Sequence, residues 1–299
     1  MITLKNTIVS NNSSLAGNCG GDPISDGGGN LRWPNTDASC VGDFGDPMLG
    51  ELTDNGGPTQ TLALLPGSAA IDSGNDTICA ASPINNLDQR GYMRPVGDHC
   101  DIGAFEFGAV PQIFEDVNQK HWAVDWIHQL YDAGITNGCS ANPPLYCPEQ
   151  DVSRAEMAVF LERGLNGSEY IPPNGVGTIF NDVSFEHWAV DWIEKLYKDE
   201  ITTGCASNPL RYCPDTSLTR SEMAIFLLRS KHGSDYQPPS VDGSTGFDDV
   251  LPTYWAAAWI KQLAAEGITS GCGGGNYCPD KNVTRAEMAK FLVLAFGLP

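Results

Sequence analysis

Three stretches of this chain align without a gap: "FEDVNQKHWAVDWIHQLYDAGITNGC" (114–139), "FNDVSFEHWAVDWIEKLYKDEITTGC" (180–205) and "FDDVLPTYWAAAWIKQLAAEGITSGC" (247–272). Each leads into a cysteine-closed loop and a further shared run: "YCPEQDVSRAEMAVFL", "YCPDTSLTRSEMAIFL" and "YCPDKNVTRAEMAKFL". One supersecondary unit used three times at a period of about 66 residues dominates everything the chain can fold into, because such a unit buries its apolar face only against its neighbours. The intervening "SEYIPPNGVGT" (168–178) and "SDYQPPSVDGST" (234–245) carry proline and glycine and read as connectors.

Each unit is expected to hold two helices. In the first, Trp122, Trp126 and Leu130 stand at i, i+4 and i+8 with Ala123 and Ile127 beside them, which places the tryptophans on one apolar stripe and makes them core residues. Gly134 and Gly267 suit the left-handed position after a helix; repeat two has Glu200 there, so its helix end should be less well formed or differently terminated. Asp116, Asp182 and Asp249 precede the first helix as turn or cap residues. The second helix opens at a capping box, Ser153 with Glu156, Thr219 with Glu222 and Thr284 with Glu287. It buries Met157, Phe160 and Leu161, and Gly164 lies near its end.

Inside each capping box, at the first helical position, sits an arginine: Arg154, Arg220 and Arg285. The positive end of the helix dipole disfavours a cation there by a few tenths to about 1 kcal/mol. Two explanations fit. The free N–H groups of the helix start, joined by a guanidinium fork, make a site for an anion. Alternatively, each arginine pairs with an acid of a neighbouring repeat and locks the repeats together; the two can coexist. His121 and His187 precede the tryptophans, but Tyr254 takes that place in repeat three, which argues against a shared metal site; His121 and His128 can share a helix face at i, i+7. No metal or other cofactor is expected there.

Ten cysteines include three close pairs, Cys139/Cys147, Cys205/Cys213 and Cys272/Cys278, none with zinc-type spacing. They read as local disulfides made in an oxidising compartment, each contributing roughly 2.5 kcal/mol on the chain-entropy model. Cys19, Cys40, Cys79 and Cys100 allow three pairings, of which sequence order suggests Cys19–Cys40 and Cys79–Cys100. The formal charge of −20 excludes nucleic acid as an expected partner, since phosphate binding requires basic stripes. No stretch reaches the roughly 20 apolar residues of a membrane span. "ITLKNTIVSNN" after Met1 lacks the apolar core of a leader, so a secreted composition suggests a fragment or a truncated gene model, with the missing part expected upstream.

With F-x-D-V, W-A, G-I-T, P-D and T-R-A-E in order, residues 113–299 resemble three tandem S-layer homology repeats of bacterial cell-envelope proteins, divided as 109–167, 168–233 and 234–299. The resemblance implies an all-α, pseudo-threefold helical bundle with grooves between repeats, holding a protein non-covalently to cell-wall polysaccharide that often carries pyruvyl ketals. It also implies that Arg154 in "SRAE", Arg220 in "TRSE" and Arg285 in "TRAE" meet the ketal carboxylate, while Trp122, Trp188 and Trp255 can show an edge to a sugar face. The chain departs from the family pattern where "CSANPPLYC", "CASNPLRYC" and "CGGGNYC" replace a glycine-rich loop beside the groove.

Residues 1–108 differ in kind: glycine, asparagine and aspartate separate short alternating runs such as "ITLKNTIV", as in the rungs or end cap of a parallel β-helix. "TDNGGPTQTLALLPGSAAIDSG" (53–74) and "DQRGYMRPVGDHCDIGAFEF" (88–107) resemble the carboxy-terminal tail of choice-of-anchor parallel β-helix proteins. "GNCGGDPISDGGGN" and "GDFGDP" offer carboxylate and carbonyl oxygens that can coordinate calcium; without an EF-hand or nonapeptide pattern they read as turns. Asp72, Asp88 and Asp101 are acids of a type that glycan-cleaving β-helices use, with no separation fixed by the sequence. The expectation is a multidomain, non-enzymatic chain: a β-helix end followed by a wall-binding helical bundle on the bacterial cell surface. Its alternatives are an anchored polysaccharide lyase or hydrolase with its active site upstream, or a surface-lattice protein that self-associates laterally.

Overall fold

A computed structural model describes residues 2–12, 18–20, 23–34 and 39–299. The chain forms two compact units, one running to Ile113 and including Asn118–Lys120, the other comprising Phe114–Val117 and His121–Pro299. Among the described residues, no helix is long and apolar enough to cross a membrane.

In the first unit, strands β1 (Ile2–Leu4) and β2 (Ile8–Ser10) lie parallel to β3 (Ile24–Asp26) and β4 (Leu31–Trp33), with Ile2 opposite Ile24 and Ile8 opposite Leu31. β5 (Asp43–Phe44) adds in parallel to β4. The corner between β1 and β2 is Asn6, a buried non-glycine residue at φ 43°. It holds that conformation because its side-chain oxygen accepts from Asn75 N at 2.9 Å while its amide donates to Asn75 O at 3.1 Å. Asn30 ties the next layer in the same way, accepting from Thr7 N and donating to Leu4 O. An antiparallel pair, β6 (Leu49–Thr53) and β7 (Thr61–Leu64), and helix α1 (Asp76–Ala80) follow. Leu31, Leu64, Ala70 and Ile102 form the core beneath them.

Acids of this unit organise backbone. Asp88 takes the Arg90 guanidinium through Oδ2 and the Arg90 and Tyr92 amides through Oδ1. Asp101 accepts from Asp72 N and Phe107 N, and Asp72 accepts from His99 N. The three are therefore turn and tie residues, not a free acid pair. Glu106, buried, accepts from Val96 N and Asp101 N, and burial pushes its carboxyl up to about 7. Of the oxygen-rich stretches, Gly17, Gly21 and Asp22 lie outside the described residues; Asp26 and Asp46 accept from backbone amides two residues ahead. Disulfides join Cys19 to Cys40 and Cys79 to Cys100.

The second unit repeats one plan. Repeat one has α2 (Val124–Asp132), a two-residue hairpin β8 (Ser140–Ala141) and β9 (Pro144–Leu145), and α3 (Arg154–Asn166). Repeat two has α4 (Val190–Lys198), β10 (Ala206–Ser207), β11 (Leu210–Arg211) and α5 (Arg220–His232). Repeat three has α6 (Ala257–Ala265) and α7 (Arg285–Phe296), with a single bridge between Gly273 and Asn276 as its hairpin. Helices α3, α5 and α7 touch one another; α4 packs on α3, α6 on α5 and α2 on α7, which closes the cycle. On the axis, Val152 N donates to Val283 O, Val283 N to Leu218 O and Leu218 N to Val152 O, each at 2.9 Å, and all three side chains are fully buried. This closed ring of backbone bonds gives each repeat both neighbours.

Two local expectations are corrected. The first helix begins at Val124, not at the tryptophan: Trp122 sits in a turn whose exit amide, Ala123 N, is taken by His121 Nδ1 at 3.2 Å. Outside the helical register its ring leaves the stripe, and Val124, Ile127 and Leu130 form the buried face. Glu200 adopts φ 60° and ends α4 as Gly134 and Gly267 end α2 and α6, with Ile201 N reaching back to Leu196 O; the strain of a left-handed side chain is accepted and the helix end is kept. Gly164 lies near the end of α3, as expected, and sits against Phe296.

Candidate functional site

The three capping boxes form: the Ser153, Thr219 and Thr284 hydroxyls accept from the amides of Glu156, Glu222 and Glu287, whose carboxylates accept the cap amides in return. One carboxylate oxygen suffices for that. The other oxygen takes an arginine from a different repeat: Arg285 Nη1 to Glu156 Oε1 at 2.8 Å, Arg154 to Glu222 at 2.8 Å and Arg220 to Glu287 at 3.2 Å. Cap and clamp are thus the same residue.

Each arginine makes a second, reciprocal lock. Arg154 Nε donates to Tyr212 O while the Tyr212 hydroxyl donates to Arg154 O; Arg220 and Tyr277, and Arg285 and Tyr146, do the same, all at 2.7–2.8 Å. The guanidinium carbons lie 4.8–5.1 Å from those tyrosine ring centres. Burial pushes the three phenols well above their ordinary range, so they remain neutral donors. The arginines are 3, 1 and 2% exposed.

The helix starts do not offer free N–H groups. Arg154 N and Ala155 N donate to Thr216 O and Pro214 O of the next repeat; Arg220 N and Ser221 N to Lys281 O and Pro279 O; Arg285 N and Ala286 N to Gln150 O and Pro148 O. With the third amide capped, the anion site expected from the helix terminus alone is closed. An arginine is tolerated at the first helical position because carbonyls from the neighbouring loop and a glutamate surround it.

What remains open lies beside the arginines. A hollow of about 360 Å³ is walled by Thr136–Gly138 of repeat one, Trp188 of repeat two and Arg285 of repeat three. A second, about 260 Å³, joins Thr202–Gly204, Trp255 and Arg154; a third, about 190 Å³, joins Thr269–Gly271, Trp122 and Arg220. Every hollow therefore draws on all three repeats. Trp122, Trp188 and Trp255 are 56, 63 and 61% exposed, which overturns their assignment to the core. Each hollow holds one carboxylate and two cations: Glu156 with Arg285 and Arg163, Glu222 with Arg154 and Arg229, Glu287 with Arg220 and Lys290. The Nη2 atoms of Arg220 and Arg285 are buried without a hydrogen-bond partner among the described residues.

His121 meets Glu149 at 3.3 Å, whereas His128 is buried in α2, where desolvation lowers its pKa. Asp116, Asp182 and Asp249 are not helix caps. Each accepts the amides of a tyrosine and the cysteine after it, Tyr146–Cys147, Tyr212–Cys213 and Tyr277–Cys278, at 2.7–2.9 Å. The neighbouring sulfurs are joined as disulfides, Cys139–Cys147, Cys205–Cys213 and Cys272–Cys278.

Parts of the sequence that builds these hollows are similar to known proteins. Residues 246–289 match the S-layer homology domain. Over 190 residues, 63% of this chain, the sequence is 30% identical to an amylopullulanase of Thermoanaerobacterium thermosulfurigenes, covering 10% of that protein. It is 30% identical over 190 residues, 62% of the chain, to an S-layer protein of Bacillus licheniformis, covering 20% of it. It is also 27% identical over 143 residues, 48% of the chain, to a cellulosome-anchoring protein of Acetivibrio thermocellus, covering 31% of it. The chain thus spans between a tenth and a third of the length of these curated relatives. Within the S-layer homology match fall Trp255, Thr269–Gly271, Tyr277, Arg285 and Glu287, through which this repeat contributes to the three hollows and their locks; Lys290 lies one residue beyond it.

Sequence reasoning missed the tyrosine locks and the Thr-x-Gly walls. Their signal was present as the repeated "TNGC/TTGC/TSGC" and "YC" pairs, but spacing alone does not say which arginine a tyrosine meets. Arg163 and Arg229 were also missed; each packs on a tryptophan ring, Trp192 and Trp259, at 5.4 and 5.5 Å.

Proposed function

We propose that this chain anchors an extracellular β-helix protein to the bacterial cell wall, with the three hollows of its helical unit binding an anionic wall polysaccharide, pyruvylated sugar being the expected form. In this reading the first unit is the end of a parallel β-helix and the second a pseudo-threefold bundle of three S-layer homology repeats. The observation that carries it is a charge inversion. On a chain with formal net charge −20, each hollow gathers two cations around one carboxylate beside an exposed indole. A carboxylate-bearing sugar supplies the missing negative charge for the guanidinium edge and an apolar face for the tryptophan. Three weak sites on one rigid ring add through avidity. The amylopullulanase relative supports a related reading, in which the anchored parent degrades polysaccharide; turnover of wall or storage glycans by the parent protein tests that separately.

The arginines are poor targets for a binding test because they also hold the fold. The exposed tryptophans are good ones. Trp122→Ala, Trp188→Ala and Trp255→Ala combined are expected to abolish co-sedimentation with purified wall sacculi of the source bacterium, with the melting temperature kept within a few degrees. Sacculi stripped of polysaccharide should release the unaltered chain. If the triple variant sediments as well as the parent, the hollows are not the wall site.

A further inference from the structure

The cysteine loops have a placement that disulfide stabilisation alone does not explain. In each hollow the wall residue Gly138, Gly204 or Gly271 directly precedes the first cysteine, and the tyrosine locked to that same hollow's arginine directly precedes the second. Thus Cys139–Cys147 connects Gly138 to Tyr146, which grips Arg285, and Gly138 and Arg285 face one hollow. Cys205–Cys213 likewise joins Gly204 to Tyr212 and Arg154, and Cys272–Cys278 joins Gly271 to Tyr277 and Arg220.

The ends of the first loop are held by the sulfur bridge, by Asp116 on the Tyr146 and Cys147 amides and by Glu115 N on Pro144 O at 2.9 Å, while its tip stands in water. Residues 141–144 are exposed, and the hairpin ladder is two residues long, far below what is stable by itself in water. The second cysteines stand at φ 57–59°, a left-handed conformation that a side chain resists, kept by the aspartate on their amides and by the bridge. The wall glycines are packed so closely that a Cβ on any of them would overlap the carbonyl oxygen of the hairpin's returning strand, Leu145, Arg211 or Asn276. Movement of the hairpin therefore moves the wall.

We propose that each disulfide is a positioning element of one hollow: it fixes the Thr-x-Gly wall relative to the arginine on the other side, so that anion binding in a hollow depends on its own cysteine pair. This rests on the anchoring reading above. The grip crosses a repeat boundary, since Cys139–Cys147 of repeat one sets the place of Arg285 of repeat three, so its loss is felt in one hollow and not in the other two.

The test uses the full chain, 15N-labelled, with the indole Nε1–H signals of Trp188, Trp255 and Trp122 each reporting one hollow, and a methyl glycoside bearing a 4,6-pyruvyl ketal as probe. Cys139→Ser with Cys147→Ser is expected to weaken binding at Trp188 at least tenfold and to change that at Trp255 and Trp122 less than twofold, with one cooperative melting transition retained. Should that pair variant fail to fold, Cys272→Ser with Cys278→Ser, which opens the shortest loop, repeats the test with Trp122 as the affected signal. Unchanged affinity at the reporting tryptophan, or equal loss at all three, overturns the proposal and leaves the anchoring reading intact. If the unaltered chain shows no indole shift with the probe and does not sediment with sacculi, both fail together.

Discussion

Replacing Arg285 with alanine is expected to destabilise the helical unit by about 3–5 kcal/mol, the usual cost of removing one partner from a buried ion pair. The change strands two acceptors: the Tyr146 carbonyl loses its Nε donor and Glu156 Oε1 loses its 2.8 Å partner, while Glu156 Oε2 remains held by the capping box. A hydrogen bond to a charged group contributes roughly 1.5–3 kcal/mol, and stacking on the Tyr146 and Phe160 rings adds about 0.5–1 kcal/mol. With a urea dependence of about 2 kcal/mol per molar, the midpoint of the helical unit should fall by roughly 2 M at unchanged slope. Arg285→Lys should recover part of this, because an ammonium cannot serve the carbonyl and the carboxylate in the fork geometry. Arg220→Ala should cost less than Arg285→Ala, since Lys281 Nζ lies 3.5 Å from Glu287 Oε1 and remains to pair with it. The assay is urea titration followed by tryptophan fluorescence and helical circular dichroism. A loss below about 1 kcal/mol for Arg285→Ala would refute the clamp. Removing all three arginines should cost as much as a domain's whole stability, about 5–15 kcal/mol, and unfold the unit.

Glu200→Gly relieves a side chain at φ 60°, and a gain of about 0.5–1 kcal/mol, read as a rise of a few degrees in melting temperature, is expected; a fall would mean that the Glu200 side chain stabilises the α4 terminus. Glu162 is fully buried at a position where repeats two and three carry Leu228 and Val293, and burial raises its carboxyl to about 7. Its folded value lies above the unfolded 4.5, so the proton favours the folded state. That stability is fully present below about pH 4.5 and lost as pH rises through 7, by up to about 3 kcal/mol. Glu162→Leu should remove this dependence from the helical unit and raise that unit's melting temperature at pH 8, read by helical circular dichroism, since Glu106 of the first unit is raised into the same range; a helical melt still falling between pH 5 and 8 in the variant would place the titration elsewhere in that unit. Single Trp122→Ala, Trp188→Ala or Trp255→Ala changes should each shift stability by about 0.5 kcal/mol or less, because the rings are mainly in water.

Much of the helical unit was legible in the sequence because its signals are short-range. A capping box reaches three residues, so Ser153 with Glu156, Thr219 with Glu222 and Thr284 with Glu287 could be read directly. Cysteines six or eight residues apart close only a small loop, and the three pairs could be read the same way. The tryptophan stripe misled for an equally local reason. Trp122 and Trp126 have helical spacing, but a histidine-capped turn starts the helix two residues after the first of them, and a ring outside the helix need not follow its face.

The repeat, the place of each arginine at a helix start and the surplus of acid over base were determined by the sequence alone, because composition and i-to-i+4 spacing do not depend on how the segments meet. Which group each arginine touches was decided by the tertiary structure. Arg285 meets Tyr146 across 139 positions and Arg154 meets Tyr212 across 58, through a ring that closes only when the third repeat returns to the first. That closure filled the helix starts with carbonyls, turned the capping glutamates into clamps and left the indoles in water. A hydrogen-bonding group takes whatever partner the packed chain brings within about 3 Å, and no pattern along the chain fixes that distance.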